Sequence, residues 1–214
     1  MNKPSFDGLA PWYFLLEKLS FGNQLQKCRL SQLEELKDAS SVLILGDGNG
    51  RFLESFLKSN VKAKIDSLDI SLKMINLAKL RVALIPNNTE VIFIHSDVFE
   101  WKFPEKKYDL VVTNFFLDCF NFDELKKLIN KISISLKPKG KLMYGDFNVP
   151  NSFLKKAITL PILGIMYLFF RITTGITTNK LIDPTLFIIE NRFTLSNEKH
   201  QLGSFIKSQL WIKS

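Results

Sequence analysis

Four consecutive apolar residues, Val42-Leu-Ile-Leu45, run without a spacer into Gly46-Asp47-Gly48-Asn49-Gly50. Side chains along a strand alternate between its faces, so an unbroken apolar run needs cover on both sides. Alternating glycines then let the chain turn sharply and bring its backbone close to a ligand. Helical spacing of Phe52, Leu53, Phe56 and Leu57 follows at once. A doubly covered strand, a glycine loop and a helix form the opening unit of an open parallel sheet.

The alternation continues. A second strand is expected over 63–68, ending at Asp69, with Ser71 as N-cap of a helix reaching about 84. Further strands are expected at 91–94, at 108–113 and at 141–147, with Asn121 and Glu124 forming a capping box for the intervening helix, which ends near Lys137-Pro-Lys-Gly140. The segment 11–37 has helical spacing broken near Gly22, and 193–200 with 204–212 reads as a closing antiparallel hairpin. Strands and helices in this rhythm imply an α/β fold with helices on both faces of a mostly parallel sheet.

With 46% hydrophobic residues and 19 phenylalanines, the 214-residue chain can bury a sizeable core as one domain. Its parts are expected to be a helical cap (1–38), a ligand-binding core (39–148), a helical insertion or lid (149–182) and a closing helix with hairpin (183–214). No signal peptide is expected in 1–8. Cys28 and Cys119 lack metal-ligand spacing and read as reduced thiols of a cytoplasmic protein; no metal is expected. The formal charge of +8 comes from scattered lysines, which favours solvated surface charge over a nucleic-acid footprint.

In an open parallel sheet, ligands sit beyond the carboxyl ends of the strands. A dinucleotide fingerprint would need glycine at 51 or 53, where Arg51 and Leu53 stand, and no phosphate-loop lysine is present. Asp69 and Asp97 follow the second and third strands, positions suited to accepting hydrogen bonds from a ribose diol and an exocyclic amine. Together they point to a nucleoside-type ligand without a pyrophosphate.

Val42-Leu-Ile-Leu-Gly-Asp-Gly-Asn-Gly50, Leu68-Asp-Ile-Ser-Leu-Lys-Met74, His95-Ser-Asp-Val98, Tyr108-Asp-Leu-Val-Val-Thr-Asn114 and Leu136-Lys-Pro-Lys-Gly-Lys-Leu142 resemble successive motifs of the class I S-adenosylmethionine-dependent methyltransferases. The resemblance covers about 40–148 and implies a seven-stranded sheet whose last strand is antiparallel. It implies S-adenosylmethionine as cofactor, S-adenosylhomocysteine as product, and cofactor contacts from Gly46, Asp47, Gly48, Asn49, Gly50, Asp69, Ile70, Met74, Asp97, Val98, Asn114 and Phe115. The family's acid two residues before the first glycine is replaced by Ile44; Asp47 is the residue placed to take over part of its task. Asn114-Phe-Phe-Leu-Asp-Cys-Phe120 and Tyr167-Leu-Phe-Phe-Arg-Ile-Thr-Thr-Gly175 look like a group of small bacterial methyltransferases similar in layout to those acting on quinones and other small molecules.

The expected reaction is methyl transfer to a small, hydrophobic acceptor. Asp118, Asp146 and His95 are the candidates for an acid–base role, and Phe116, Asp118, Tyr167 and Arg171 for substrate contact. The alternatives are a non-catalytic module on the same fold, motivated by Ile44, and a nucleic-acid or protein methyltransferase, which the absence of prolines after Asn114 disfavours. The apolar stretch 157–170 is short of the ~20 residues that span a bilayer. The wider segment 153–176 reads as a core helix, a cover over a lipophilic molecule, or a surface meeting a membrane interface, with Lys155, Lys156 and Arg171 at its ends.

Overall fold

A computed structural model of the protein describes residues 5–60, 62–85, 89–150 and 152–214. Among them are strands β1 (Ser41–Leu45), β2 (Lys64–Asp69), β3 (Val91–His95), β4 (Tyr108–Asn114), β5 (Leu136–Phe147), β6 (Phe193–Gln201) and β7 (Ile206–Lys213). The helices are α1 (Tyr13–Phe21), α2 (Gln24–Leu30), α3 (Arg51–Ser59), α4 (Leu72–Val82), α5 (Phe122–Ser135), α6 (Phe153–Thr174) and α7 (Thr185–Glu190). One sheet joins the strands in the order β3-β2-β1-β4-β5-β7-β6. Pairing is parallel from β3 to β5, and β7 runs antiparallel to both β5 and β6. The sheet is the expected one: seven strands, mostly parallel, with the antiparallel strand last.

Pleating of β1 divides its side chains between two cores. Val42 and Ile44 pack with Phe52, Leu53 and Phe56 of α3, while Leu43 and Leu45 pack with Leu125, Leu128, Ile129 and Ile132 of α5. β1 lies between β2 and β4, the point where strand order reverses, so the crevice at its carboxyl end is the natural ligand site. The caps also form as the sequence implies. Ser71 Oγ accepts from Met74 N at 3.1 Å. Asn121 Oδ1 accepts from Glu124 N at 3.1 Å, while the Glu124 carboxylate accepts from Asn121 N at 2.9 Å.

The boundary between α5 and β5 differs from expectation. The helix stops at Ser135 and the strand begins at Leu136. Leu136 pairs with Tyr108 and Lys141 with Leu110, so 137–140 bulge out of the ladder around Lys139, whose φ is +60°. Proline has no N–H to give such a ladder, and that accounts for the interruption at Pro138.

The segment 153–176 is not a core helix. Within the 22 residues of α6, only Thr159, Leu163, Tyr167 and Thr174 are buried, a single narrow stripe. The helix extends beyond the apolar run that marked it in the sequence. By length and mean hydropathy (1.6) it is sufficient to cross a membrane, which corrects the reading that it falls short.

Gly50 joins the loop to α3 with φ +81°, and a Cβ there would lie 2.8 Å from both Cα and Cβ of Ala78 on α4. Left-handed backbone and overpacking each cost a substituted residue about 1–2 kcal/mol or more. Gly50→Ala is therefore expected to lower unfolding stability by about 2–4 kcal/mol, measured by urea denaturation; a loss below about 1 kcal/mol would show that α3 and α4 separate freely.

Candidate active site

The glycine loop is shaped by carboxylates that accept from backbone N–H groups. Gly46 and Gly48 hold φ values of +65° and +62°. Asp69 at the end of β2 accepts from Gly48 N at 3.1 Å with one carboxylate oxygen and from Ser71 N at 2.9 Å with the other. Burial pushes the Asp69 carboxyl above its ordinary range, while these donors pull it back. Asp47 turns the other way. Its carboxylate accepts from Phe52 N at 3.2 Å and Leu53 N at 2.9 Å in the first turn of α3. Unpaired N–H groups and the positive end of the helix dipole attract a carboxylate there. Asp47 is thus engaged with α3 and lines neither cavity described below, whereas the sequence had it taking over part of the task of the acid missing at Ile44. Ile44 itself is fully enclosed in the α3-side core.

A cavity of about 190 Å³ opens at the carboxyl ends of β1, β2 and β3. Gly46, Gly48, Asp69, Ile70, Met74, Asp97, Val98, Phe115 and Phe116 line it, so the strand-end residues singled out in the sequence converge. Asp97 accepts from Phe99 N at 2.8 Å through one oxygen and leaves the other open to a ligand. Asn49 and Asn114 are buried outside the lining, and Gly50 serves the loop–helix junction. Both amide atoms of Asn114 are sealed from solvent without a partner, an unusual state for a buried side chain beside a ligand site.

A second cavity, about 360 Å³ and overwhelmingly apolar, lies against the first. The two share Phe6, Tyr13, Phe115, Cys119 and Ile176. Its walls come from α1, from α6 and from the segment after β4, and include Asp118 and Tyr167. Asp146 accepts from Asp118 N at 3.1 Å and from Phe147 N at 2.8 Å. The Tyr167 hydroxyl donates to Asp118 O at 3.4 Å. Burial pushes Asp118 up to about 6. Burial and then the Asp118 charge hold Asp146 well above the carboxylate range. Burial thus raises both carboxyls of the pair, and the charge of Asp118 adds to the rise at Asp146.

Two candidates fall outside this arrangement. His95 is exposed, with Nε2 donating to Ile70 O at 3.0 Å, and it lines neither cavity. Arg171 is exposed on α6 and also lines neither. Sequence reasoning in turn missed the N-terminal contribution. Tyr13 borders both cavities, and Glu17 borders the larger one. Glu17 forms a two-point pair with buried Arg29 at 2.8 and 2.9 Å and is also bonded by Arg51 of α3. Arg29 sits 5.1 Å over the ring of Phe115, a non-glycine residue held at φ +53° at the junction of the cavities. No local motif announces these residues; only the acid in an apolar helix, Glu17, was a visible signal.

Residues 42–140 match the family model described as a methyltransferase domain. The chain is 34% identical over 128 residues to malonyl-[acyl-carrier protein] O-methyltransferase 1 of Ilyobacter polytropus, covering 58% of this chain and 46% of that one. It is 34% identical over 151 residues to the ubiquinone/menaquinone biosynthesis C-methyltransferase of Blochmanniella pennsylvanica, covering 68% and 58%. The chain spans about half the length of such curated relatives. The fold is shared with the 1,6-didemethyltoxoflavin N1-methyltransferase of Burkholderia thailandensis, solved with S-adenosylhomocysteine, at TM-score 0.67 and 14% identity over 96% of this chain and 85% of that one. In fold and sequence, then, the chain resembles the class I, Rossmann-like S-adenosylmethionine-dependent methyltransferases, the small-molecule and quinone branches among them.

The residues fit that cofactor. Gly48 leaves room for close approach, with only Met74 Sδ near its Cβ position at 3.8 Å, while Asp69 and Asp97 border the cavity and Asn114 has amide groups to spare. Removing one partner of a buried ion pair costs about 3–5 kcal/mol, because the other charge is left uncompensated. With side-chain exposures of 2% and 6%, the Glu17–Arg29 pair qualifies. Glu17→Ala is expected to destabilise the chain by that amount in urea unfolding, and a change under about 1 kcal/mol would mean that water replaces the carboxylate.

Proposed function

We propose that the protein transfers a methyl group from S-adenosylmethionine to a small apolar acceptor, with Asp118 as the base that takes the acceptor's proton. One observation carries this reading: the strand-end cavity and the apolar cavity meet at Tyr13, Phe115, Cys119 and Ile176. When bound, the cofactor supplies a methyl group already activated on a sulfonium. The chain's part is binding, alignment and exclusion of water, and proximity alone is worth about 7 kcal/mol or more in favourable cases.

Asp69 would hold the ribose hydroxyls and Asp97 the adenine amine, with Ile70, Met74 and Val98 supplying apolar contact around them. Gly48 would keep the loop low under the ligand, the Phe116 ring packs where Gly46 lacks a side chain, and Asp47, Asn49, bonded at its carbonyl by Arg81, and Gly50 maintain the shape of the loop. Phe115 stands between the cavities, Phe116 lines the strand-end one, and Tyr167 fixes the segment that carries Asp118. Relatives named for a malonyl carrier and for quinone biosynthesis support this reading, and the apolar walls favour a ring or chain over an ionic headgroup.

Calorimetric titration with S-adenosylhomocysteine tests the first half. Charge-assisted hydrogen bonds contribute about 1.5–3 kcal/mol, so Asp69→Ala is expected to weaken binding about 10- to 100-fold. Absence of binding by folded wild-type protein would sink the reading. A turnover screen over lipophilic phenols, quinones and acids tests the second half. Asp118 carries a proton below about pH 6, so kcat/KM is expected to fall as pH drops through about 6 and to level off above it. Asp118→Asn should remove that limb and lower kcat by about 10²–10⁴-fold. An unchanged profile would transfer the base role elsewhere.

A further inference from the structure

The outer faces of α1 and α6 are apolar in a way that a water-facing surface is not. On α6, Phe153, Leu154, Ile158, Ile165 and Ile172 are 83%, 75%, 65%, 72% and 76% exposed. On α1, Leu15 and Leu19 are 47% and 75% exposed, and Trp12 just before it is 62% exposed. These helices flank one cavity, to which both contribute walls. Ile162, Ile165 and Phe169 are at once exposed on α6 and part of the cavity lining, so the apolar face and the cavity are continuous.

The charges on this face have one sign. Lys155 and Lys156 stand at the start of α6, Arg171 in its last turn and Lys18 on α1, all exposed. α6 contains no carboxylate, and the one on α1, Glu17, is buried against Arg29 and Arg51. The whole chain carries +8. An apolar helix face with cations at its ends and an exposed tryptophan nearby fits the headgroup–acyl boundary of an anionic bilayer. The buried stripe of Leu163 and Tyr167, with the bond from Tyr167 to Asp118 O, ties α6 along the domain. That arrangement suits a helix lying in the interface plane.

We propose that the α1–α6 face docks on an anionic lipid bilayer and admits a lipophilic acceptor from it directly into the apolar cavity. The acceptor's class, a membrane-resident lipophile, rests on the methyl-transfer reading above; the docking itself does not.

The test is flotation of the full chain with vesicles of phosphatidylcholine alone and of phosphatidylcholine with phosphatidylglycerol, at low and high salt. Binding is expected to the anionic vesicles and to weaken with salt. Lys155→Glu/Lys156→Glu should reduce it about tenfold or more, and Leu154→Glu/Ile158→Glu/Ile172→Glu should do the same through lost apolar burial. None of these residues lines a cavity, so both variants should titrate S-adenosylhomocysteine like wild type, which also shows that they fold. Wild-type protein that binds S-adenosylhomocysteine but ignores every vesicle overturns the docking and leaves methyl transfer standing. Vesicle binding without cofactor binding does the reverse. Concentration-dependent self-association abolished by the triple variant, with no vesicle binding, would assign the face to a second copy of the chain and likewise overturn the proposal.

Discussion

The site depends on two carboxylates, Asp69 from β2 and Asp47 within the glycine loop itself, that accept hydrogen bonds from backbone N–H groups and so hold the loop. Gly46 and Gly48 adopt left-handed backbone, and nothing intrinsic to glycine keeps them there. Asp69 from β2 fixes Gly48, and Asp47 fixes the first turn of α3, so the loop is stretched between a strand end and a helix start. Each bond also satisfies N–H groups that would otherwise be left unpaired in a part-buried crevice. The same carboxylate that orders the loop also borders the strand-end cavity, which ties the order of the loop to the shape of the cavity.

Around this loop the chain accepts several electrostatically costly groups. Arg29 is buried, and its charge is offset by Glu17 and felt by Asp47, while its guanidinium packs over Phe115. Through it the N-terminal helices, the start of α3 and the strained residue after β4 share one set of contacts. Asp118 and Asp146 are a second such group, buried close enough that the charge of one raises the other. Burial of ionisable groups is rarely useful for stability. Both groups border or adjoin the cavities, where perturbed carboxylates have chemical use.

The apolar cavity and the apolar outer face belong together physically. A cavity walled by Phe, Ile, Leu and Met excludes water and strengthens every charge interaction at its edge. A mouth with the same chemistry offers a lipophile a route in which it meets little water. The exposed cations of α1 and α6 lie on the same two helices that wall the cavity.

Much of the fold was legible in the sequence because it is written in local periodicity. The apolar run of β1, the caps at Ser71 and Asn121, the strand-end acids Asp69 and Asp97 and the closing hairpin each follow from a few neighbouring residues. The cofactor cavity inherits that legibility, since a parallel sheet brings its strand ends to one edge. Tertiary structure alone decided the rest. It turned Asp47 to α3 instead of the cavity, left His95 and Arg171 in solvent, and brought Tyr13 and Glu17 from the N-terminal helix to the wall of the apolar cavity. It also decided that a helix apolar on nearly every side buries only one stripe. The reason is common to all four: local pattern fixes which residues form a strand or helix, whereas which way a side chain faces depends on neighbours far away along the chain.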